Sequence, residues 1–359
     1  MSTPSLDDML DDLRTLVEIE SPSGDLAALG ASAGAVASIL ERRLGGRAVL
    51  VDSPAGPHVR WSGGGPPRVL VLGHHDTVFP VGTLARRPFT VQNGKAYGPG
   101  VFDMLGGLVQ AVHGLALLDD RSGVEILVGC DEEVGSGASR ALIEDLARQC
   151  RAALVFEGAG EGGALKTGRK GCGTFEVVVT GRAAHAGLEP EAGVNALVEA
   201  AHQVLAIAAL NRPQAGTTVT PTVATAGTAS NVVPAAATVT VDVRVETQAE
   251  TERVEKAFAT LAPAGTARLE VRGGIGRPPM PESAALELLA LAQRFDPTLT
   301  GVRVGGGSDG NLTAAVGTPT LDGLGAVGGG AHADHEYLLT AAMPERARLT
   351  AHLVKNLLR

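Results

Sequence analysis

The sequence predicts a discontinuous α/β domain with a mostly parallel sheet, into which a small ferredoxin-like α+β domain is inserted. Three observations lead there. Short apolar runs alternate with helical patterns through the first half, a β-α-β-β-α-β order replaces that alternation near Arg169, and the α/β pattern resumes after Gly273–Met280. A length of 359 residues agrees with about two domains.

Taken in order, Ser5 is placed to cap a first helix with Leu6, Met9, Leu10, Leu13, Leu16 and Val17 on its apolar face. Val69–Leu72 reads as a strand, Leu105–Leu118 as a helix and Val124–Val128 as a strand. Ser136–Ala147 then reads as a helix and Ala153–Phe156 as a strand. Within the insert, Gly173–Thr180 is a predicted strand, Val194–Leu210 a long Ala-rich helix and Thr217–Ala224 a strand. Thr238–Glu246 alternates, with Val239, Val241, Val243 and Val245 on one face and Thr240, Asp242, Arg244 and Glu246 on the other. A helix over Ala249–Leu261 and a strand over Ala267–Arg272 complete the order. A helix over Ser283–Phe295, a short strand and a final helix from about Ala342 follow. The expected boundaries are 1–169 with 278–359 for the α/β domain and 170–277 for the insert.

Composition narrows the function. Hydrophobic residues make up 44% of the chain, enough for a sizeable core, so global disorder is excluded. Aromatics are only 3%, so that core must be built from Ala, Val and Leu. A net charge of −9 argues against nucleic acid or an anionic membrane as partner. Cys130, Cys150 and Cys172 are odd in number and lack CxxC spacing, which speaks against a disulfide framework and a cysteine-built zinc knot. The N-terminal stretch is acidic and amphipathic, without the basic and apolar regions of a signal peptide, and no run of about 18 apolar residues occurs. The expected location is the cytoplasm.

Sites in open α/β sheets form beyond the carboxyl ends of the strands. Three predicted strands run there into acids or imidazoles: Gly73-His74-His75-Asp76-Thr77, Gly129-Cys130-Asp131-Glu132-Glu133, and Glu157. Asp103, after Gly98-Pro99-Gly100, and His332, after Gly328-Gly329-Gly330, add to them. Nitrogen and carboxylate donors without thiolate suit a catalytic zinc or a two-metal hydrolytic site. Singly, each has an ordinary reading. Asp76, Glu132 and Glu133 fit helix N-terminal acids, His74 a satisfied core histidine, and Asp103 a turn residue. Together, several clusters aimed at one sheet edge favour a functional site. Gly305–Gly310 lacks the strand-turn-helix context of a dinucleotide fingerprint, Gly158–Lys170 lacks the ending of a phosphate loop, and Gly135-Ser136-Gly137 lacks the flanks of a nucleophile elbow.

The stretches GHHDTV, YGPGVFDMLGG, DEEVGS, RAAHAGLEPEAGVNA and TASNVVPAAATVTVDVR resemble those of the zinc-dependent M20 peptidases, and their wording is most similar to the glutamate carboxypeptidase branch. The resemblance runs from Leu16 to Leu338. It implies two Zn2+ per subunit, with Co2+ or Mn2+ as substitutes. His74 and Glu157 would hold one ion, Asp103 would bridge, and Glu133 and His332 would hold the other. The H-x-D spacing chooses His74 over His75, and the Gly-Gly-Gly-Ala-His context chooses His332 over His335. Asp76 would orient His74, and Glu132 would be the general base that deprotonates the attacking water. Leu105 departs from the family, which often has lysine there.

The same resemblance makes the insert a dimerisation domain. It implies a homodimer in which His185 reaches the partner's active site to polarise the scissile carbonyl. Asn231 would contact substrate and Arg244 would bind its carboxylate; Arg277, near the domain junction, is a second candidate for a carboxylate clamp, whose fork suits the task. The implied reaction is hydrolysis of the amide bond of a small peptide or acyl-amino acid with a free carboxylate. A glutamate carboxypeptidase-like exopeptidase is the first reading and an N-acyl amino acid deacylase the alternative. A non-catalytic dimeric binding protein of the same fold is the reading from another class, against which the presence of all five ligand-type residues and Glu132 argues.

Overall fold

The backbone N–H of Asp8 donates to the Ser5 hydroxyl at 3.3 Å, which caps the first helix, Leu6–Val17. Its apolar face buries Met9, Leu13, Leu16 and Val17. Asp12 is buried beside them and binds three cations or donors from two other helices. Arg42 Nη2 lies at 2.5 Å, Arg43 Nε at 2.8 Å and His113 Nε2 at 2.8 Å. Arg42 and Arg43 end the helix Leu26–Leu44, and His113 belongs to the helix Gly106–Ala116. One carboxylate therefore pins three helices.

Burial opposes the charge on Asp12, but the hydrogen bonds from His113 and Arg43 outweigh it and hold the carboxyl well below its usual range. Because the folded value is depressed, this stabilisation is complete above the unfolded value near 4 and fades as pH falls below it. Asp12→Ala should cost about 2–4 kcal/mol at pH 7, the partly exposed arginines keeping it from the top of the range for a broken buried pair. The gap between the urea midpoints of wild type and variant should begin to narrow as pH falls below about 4 and close only well below pH 3. An unchanged gap would refute the assignment.

The computed structural model describes residues 3–359, and the chain divides into two compact units. The first comprises residues up to Gly168, Met280–Val304 and Ser308–Arg359. The second is Arg169–Pro279 with Gly305–Gly307.

In the first unit a six-stranded sheet runs in the order Ala48–Val51, His58–Ser62, Val124–Gly129, Val69–His74, Ala152–Val155, Thr320–Leu321. The last four strands are mutually parallel, and the first two are antiparallel additions at one edge. The mostly parallel sheet expected from the sequence is thus present. The Val69–His74 strand is buried throughout, as a strand covered on both faces must be. Val69 and Val71 pack with the helices Leu6–Val17, Leu26–Leu44, Gly106–Ala116 and Met343–Leu357. Leu70 and Leu72 point the other way, onto Ile143 and Leu146 of Arg140–Gln149 and Leu312 of Asp309–Ala315.

The structure adds or shifts several elements. Leu26–Leu44, Ala48–Val51, His58–Ser62 and Asp309–Ala315 have no counterpart in the sequence reading. The predicted helix over Leu105–Leu118 is Gly106–Ala116, preceded by a wide turn over Val101–Leu105 in which Asp103 and Met104 leave helical geometry. The helix predicted from Ser136 begins at Arg140, because Ser136 takes a left-handed φ of 58°.

The second unit has the expected β-α-β-β-α-β order. Its strands are Gly171–Thr180, Thr218–Ala226, Ala236–Val245 and Arg268–Arg277, and its helices Ala196–Ala208 and Gln248–Ala259. All strand pairings are antiparallel, with Gly171–Thr180 between Ala236–Val245 and Arg268–Arg277. Val239, Val241, Val243 and Val245 are buried in its core, where Phe175 stacks on Phe258 at 3.9 Å.

Candidate metal centre

The acids and imidazoles sit where parallel strands end. His74 closes its strand opposite Gly129, and Glu132 and Glu133 follow on a short turn, Glu132–Val134. Leu72 pairs with Val155, two residues before Glu157. Two glycines permit close approach. A Cβ on Gly73 would lie 2.5 Å from the Met104 Cε, and one on Gly107 would overlap the Phe156 carbonyl. The Met104 side chain could yield to the first, but the Phe156 carbonyl is backbone, so Gly107 is what lets the helix after the Asp103 turn approach the strand end.

His74 Nε2 faces Glu157 at 3.5 Å, Asp103 at 3.7 Å and Glu132 at 4.0 Å. On the far side of Asp103, His332 Nε2 lies 3.3 Å from it and 3.0 Å from Glu133. The ligand atoms of His74, Asp103 and Glu133 lie within 4.8 Å of one another, as do those of His74, Glu132 and Glu157. Asp103 therefore stands between two groups of ligand-type residues, one around His74 and one around His332.

Second contacts fix these side chains. His74 Nδ1 lies 2.9 Å from the Asp76 carbonyl and 3.3 Å from its carboxylate, so it carries a ring proton, and Nε2 is the nitrogen turned toward the other acids. The Asp76 carboxylate also accepts from the Ser23 hydroxyl at 2.7 Å and from the N–H groups of Glu132 at 3.2 Å and Glu133 at 3.1 Å. Glu336, a buried acid that no motif singles out, accepts from the N–H groups of Gly100, Phe102 and Asp103, each at 2.9 Å.

The electrostatics are those of crowded anions. Burial and the repulsion of Asp103 and Glu157 push Glu133 up to about 7, against the pull of His74 and His332. The hydrogen bond to Asp103, with Glu133 nearby, raises His332 to about 9. For His74, burial opposes the charge, but Asp103, Asp76 and Glu157 raise it well above the usual value. The Nε2 atom of His74 is buried without a hydrogen-bond partner and aimed at carboxylates, and the donors are imidazole and carboxylate throughout. This set fits divalent metal ions of the zinc, cobalt or manganese kind.

Neighbouring histidines are distinguished by their contacts. His75 Nε2 meets the Pro57 carbonyl at 3.1 Å and its Nδ1 meets the Ser32 hydroxyl at 3.2 Å, so both ring nitrogens are occupied. Burial lowers His75 to about 4, which keeps it neutral. His335 is exposed and belongs to neither group. His58, Cys130 and Asp131 form a third group of ligand-type atoms. There the Cys130 N–H donates to His58 Nδ1 at 3.3 Å, which places the ring proton on Nε2 and removes that atom as a ligand.

The remaining candidates belong to the second unit. The His185 strand segment bridges to Val232, and the Ala186 N–H donates to the Asn231 carbonyl at 2.9 Å, so His185 and Asn231 lie on paired loops. His185 Nδ1 accepts from the N–H groups of Gly187 and Leu188, both at 3.1 Å, leaving Nε2–H as an exposed donor. Arg244 and Arg277 stand on either side of Cys172, each its register partner on a flanking strand. Asp242 holds the Arg244 guanidinium at 3.0 and 2.8 Å, and Arg277 is buried.

Imidazoles and carboxylates gathered at the ends of parallel strands form the kind of donor set that metallohydrolases use. The profile of the peptidase family M20/M25/M40 matches residues 70–356, and the chain belongs to that family. It is 34% identical to carboxypeptidase G2 of Pseudomonas sp. (strain RS-16) over 371 aligned residues, covering 96% of this chain and 88% of that protein. Its fold is similar to that of the aminopeptidase PepT of Bacillus cereus, with a TM-score of 0.79, 20% identity and full coverage of both chains. It is also similar to a dinuclear metal-binding M20 peptidase of Bacillus subtilis, with a TM-score of 0.70, 17% identity and 98% coverage of each chain. The protein is a hydrolytic peptidase. No helix among the described residues is long and apolar enough to cross a membrane.

Proposed function

We propose that the protein is a dinuclear zinc exopeptidase of the carboxypeptidase kind, releasing a C-terminal glutamate or similar amino acid from a small peptide or acyl conjugate. The observation that carries the hydrolytic part is the buried His74 Nε2, without a hydrogen-bond partner and facing Asp103, Glu132 and Glu157, with His332 and Glu133 beyond. His74 and Glu157 would hold one ion, Glu133 and His332 the other, with Asp103 between. Likeness to carboxypeptidase G2 supports the branch. Arg244, oriented by Asp242, and Arg277, in register on either side of Cys172, support a substrate with a free carboxylate, since a guanidinium group binds a carboxylate by charge-assisted hydrogen bonds.

Bound divalent ions supply Lewis-acid polarisation of the amide carbonyl and acidify water. Asp76 holds the His74 ring, and through the N–H groups of Glu132 and Glu133 it also places both acids. Glu132 takes a proton from the attacking water, whose oxygen adds to the carbonyl carbon. As the C–N bond breaks, Glu132 gives that proton to the leaving amine. The Nε2–H of His185 donates to the oxyanion, a role for which its two backbone contacts at Nδ1 select the correct tautomer. In this reading the second unit joins two copies of the chain, His185 serving the partner's site, and Asn231 on the paired loop contacts substrate. Leu188, Leu197 and Leu205, exposed on that unit, suit burial against a second copy. Three free cysteines agree with a cytoplasmic enzyme.

The test is metal content together with hydrolysis of a peptide ending in glutamate and of an N-acetyl amino acid, before and after chelation. Two zinc ions per chain and chelator-sensitive glutamate release are expected. Deacetylation alone would move the enzyme to the deacylases. Neither zinc nor turnover would overturn the reading.

A further inference from the structure

We infer that Glu336 is a positioning residue: its carboxylate fixes the backbone of Gly100–Asp103 and thereby sets where Asp103 stands between His74 and His332. The inference rests on the dinuclear reading above. Gly100, Phe102 and Asp103 stand at the N-terminal end of the turn Val101–Leu105, where N–H groups have no partner within the helix and need an outside acceptor. Glu336 supplies it. One oxygen accepts from both Phe102 and Asp103 and the other from Gly100, each at 2.9 Å. A fully buried carboxylate in such a cradle holds the peptide groups firmly, because no water competes for them.

The origin of Glu336 explains why it matters. It follows His332 by four residues, and the next residue, Tyr337, pairs with Tyr97 at the end of the strand that leads into Gly98–Gly100. The segment that presents His332 therefore also grips the turn that presents Asp103. Two groups far apart in sequence are registered against each other by one side chain. His332 itself sits in left-handed geometry, with φ of 62°.

Glu336→Gln keeps the shape but turns an amide N–H toward at least one backbone donor. Zinc affinity, read by chelator competition, should fall about 10–100-fold with the far-UV spectrum retained. Asp103→Asn is measured beside it. If Glu336 acts through Asp103, the double variant should bind zinc no more weakly than Asp103→Asn alone; independent losses that add would overturn the inference. Wild-type affinity in Glu336→Gln would do the same. Should Asp103→Asn itself bind normally, the dinuclear reading fails, and this inference with it. If Glu336→Gln does not fold, hydrogen exchange of the wild-type protein decides: the amides of Gly100, Phe102 and Asp103 should be strongly protected, and free exchange would refute the clamp.

Discussion

Glu132→Ala should lower kcat by about 10²–10⁴-fold while zinc stays bound. The carboxylate lies 4.0 Å from His74 Nε2 at the edge of the candidate centre, and its residue is held by the bond from its own N–H to Asp76, which the substitution leaves intact. Loss should therefore appear in turnover rather than in folding. Activity within about tenfold of wild type would mean that another group moves the proton. The variant also tests the proposed assembly. Mixed with His185→Ala, which lacks the oxyanion donor but keeps the base, it should regain partial activity if each site is completed by the partner's histidine. No recovery would place His185 in the same chain's site or in a structural role.

Asp76→Ala should carry the second large effect, on metal binding and stability together. The carboxylate is completely buried and serves four neighbours: His74, Ser23 and the N–H groups of Glu132 and Glu133. Its removal leaves buried donors without an acceptor, at about 1–3 kcal/mol each before relaxation. It also removes the carboxylate contact of the His74 ring at 3.3 Å while the Asp76 carbonyl at 2.9 Å stays, so a metal-affinity loss of about tenfold, at the low end for such a partner, is expected. Asp76→Asn retains an oxygen and should recover part of the stability but less of the affinity. Calorimetric melting with and without zinc separates the two. Equal melting temperatures in all three proteins would show that Asp76 does not organise the site.

Much of this site is legible in the sequence because strand ends announce themselves. An apolar run such as Val69–Leu72 followed at once by His74 and Asp76 tells where the chain leaves the sheet, and three such endings must share one edge when the strands are parallel. The alternation in Thr238–Glu246 is equally direct, and the valines occupy the predicted face. Other elements carry weaker signals. Leu26–Leu44 is rich in Ala, Gly and Ser, whose small side chains blur helical periodicity, although seven of its residues are buried. Asp309–Ala315 hides behind Gly305-Gly306-Gly307, which reads as a turn until Ser308 and Asn311 form a capping box. Glu336 gives no local sign at all. It lies in a polar run, and its meaning depends on three amides more than 230 residues earlier in the chain.

The second unit begins and ends in neighbouring antiparallel strands, with Cys172 opposite Arg277. On the first unit, a Cβ at Gly168 would lie 3.5 Å from the Met280 carbonyl, so the two points of departure are adjacent there as well. Topologically the second unit occupies the place of a hairpin turn. Such an insertion leaves the host sheet's strand order untouched, and its own sheet closes without borrowing a strand from the host. The arrangement is modular in the evolutionary sense. A short turn could precede it in ancestry or replace it by engineering, and the residues gathered around His74 would keep their scaffold while the second unit's surface was exchanged wholesale.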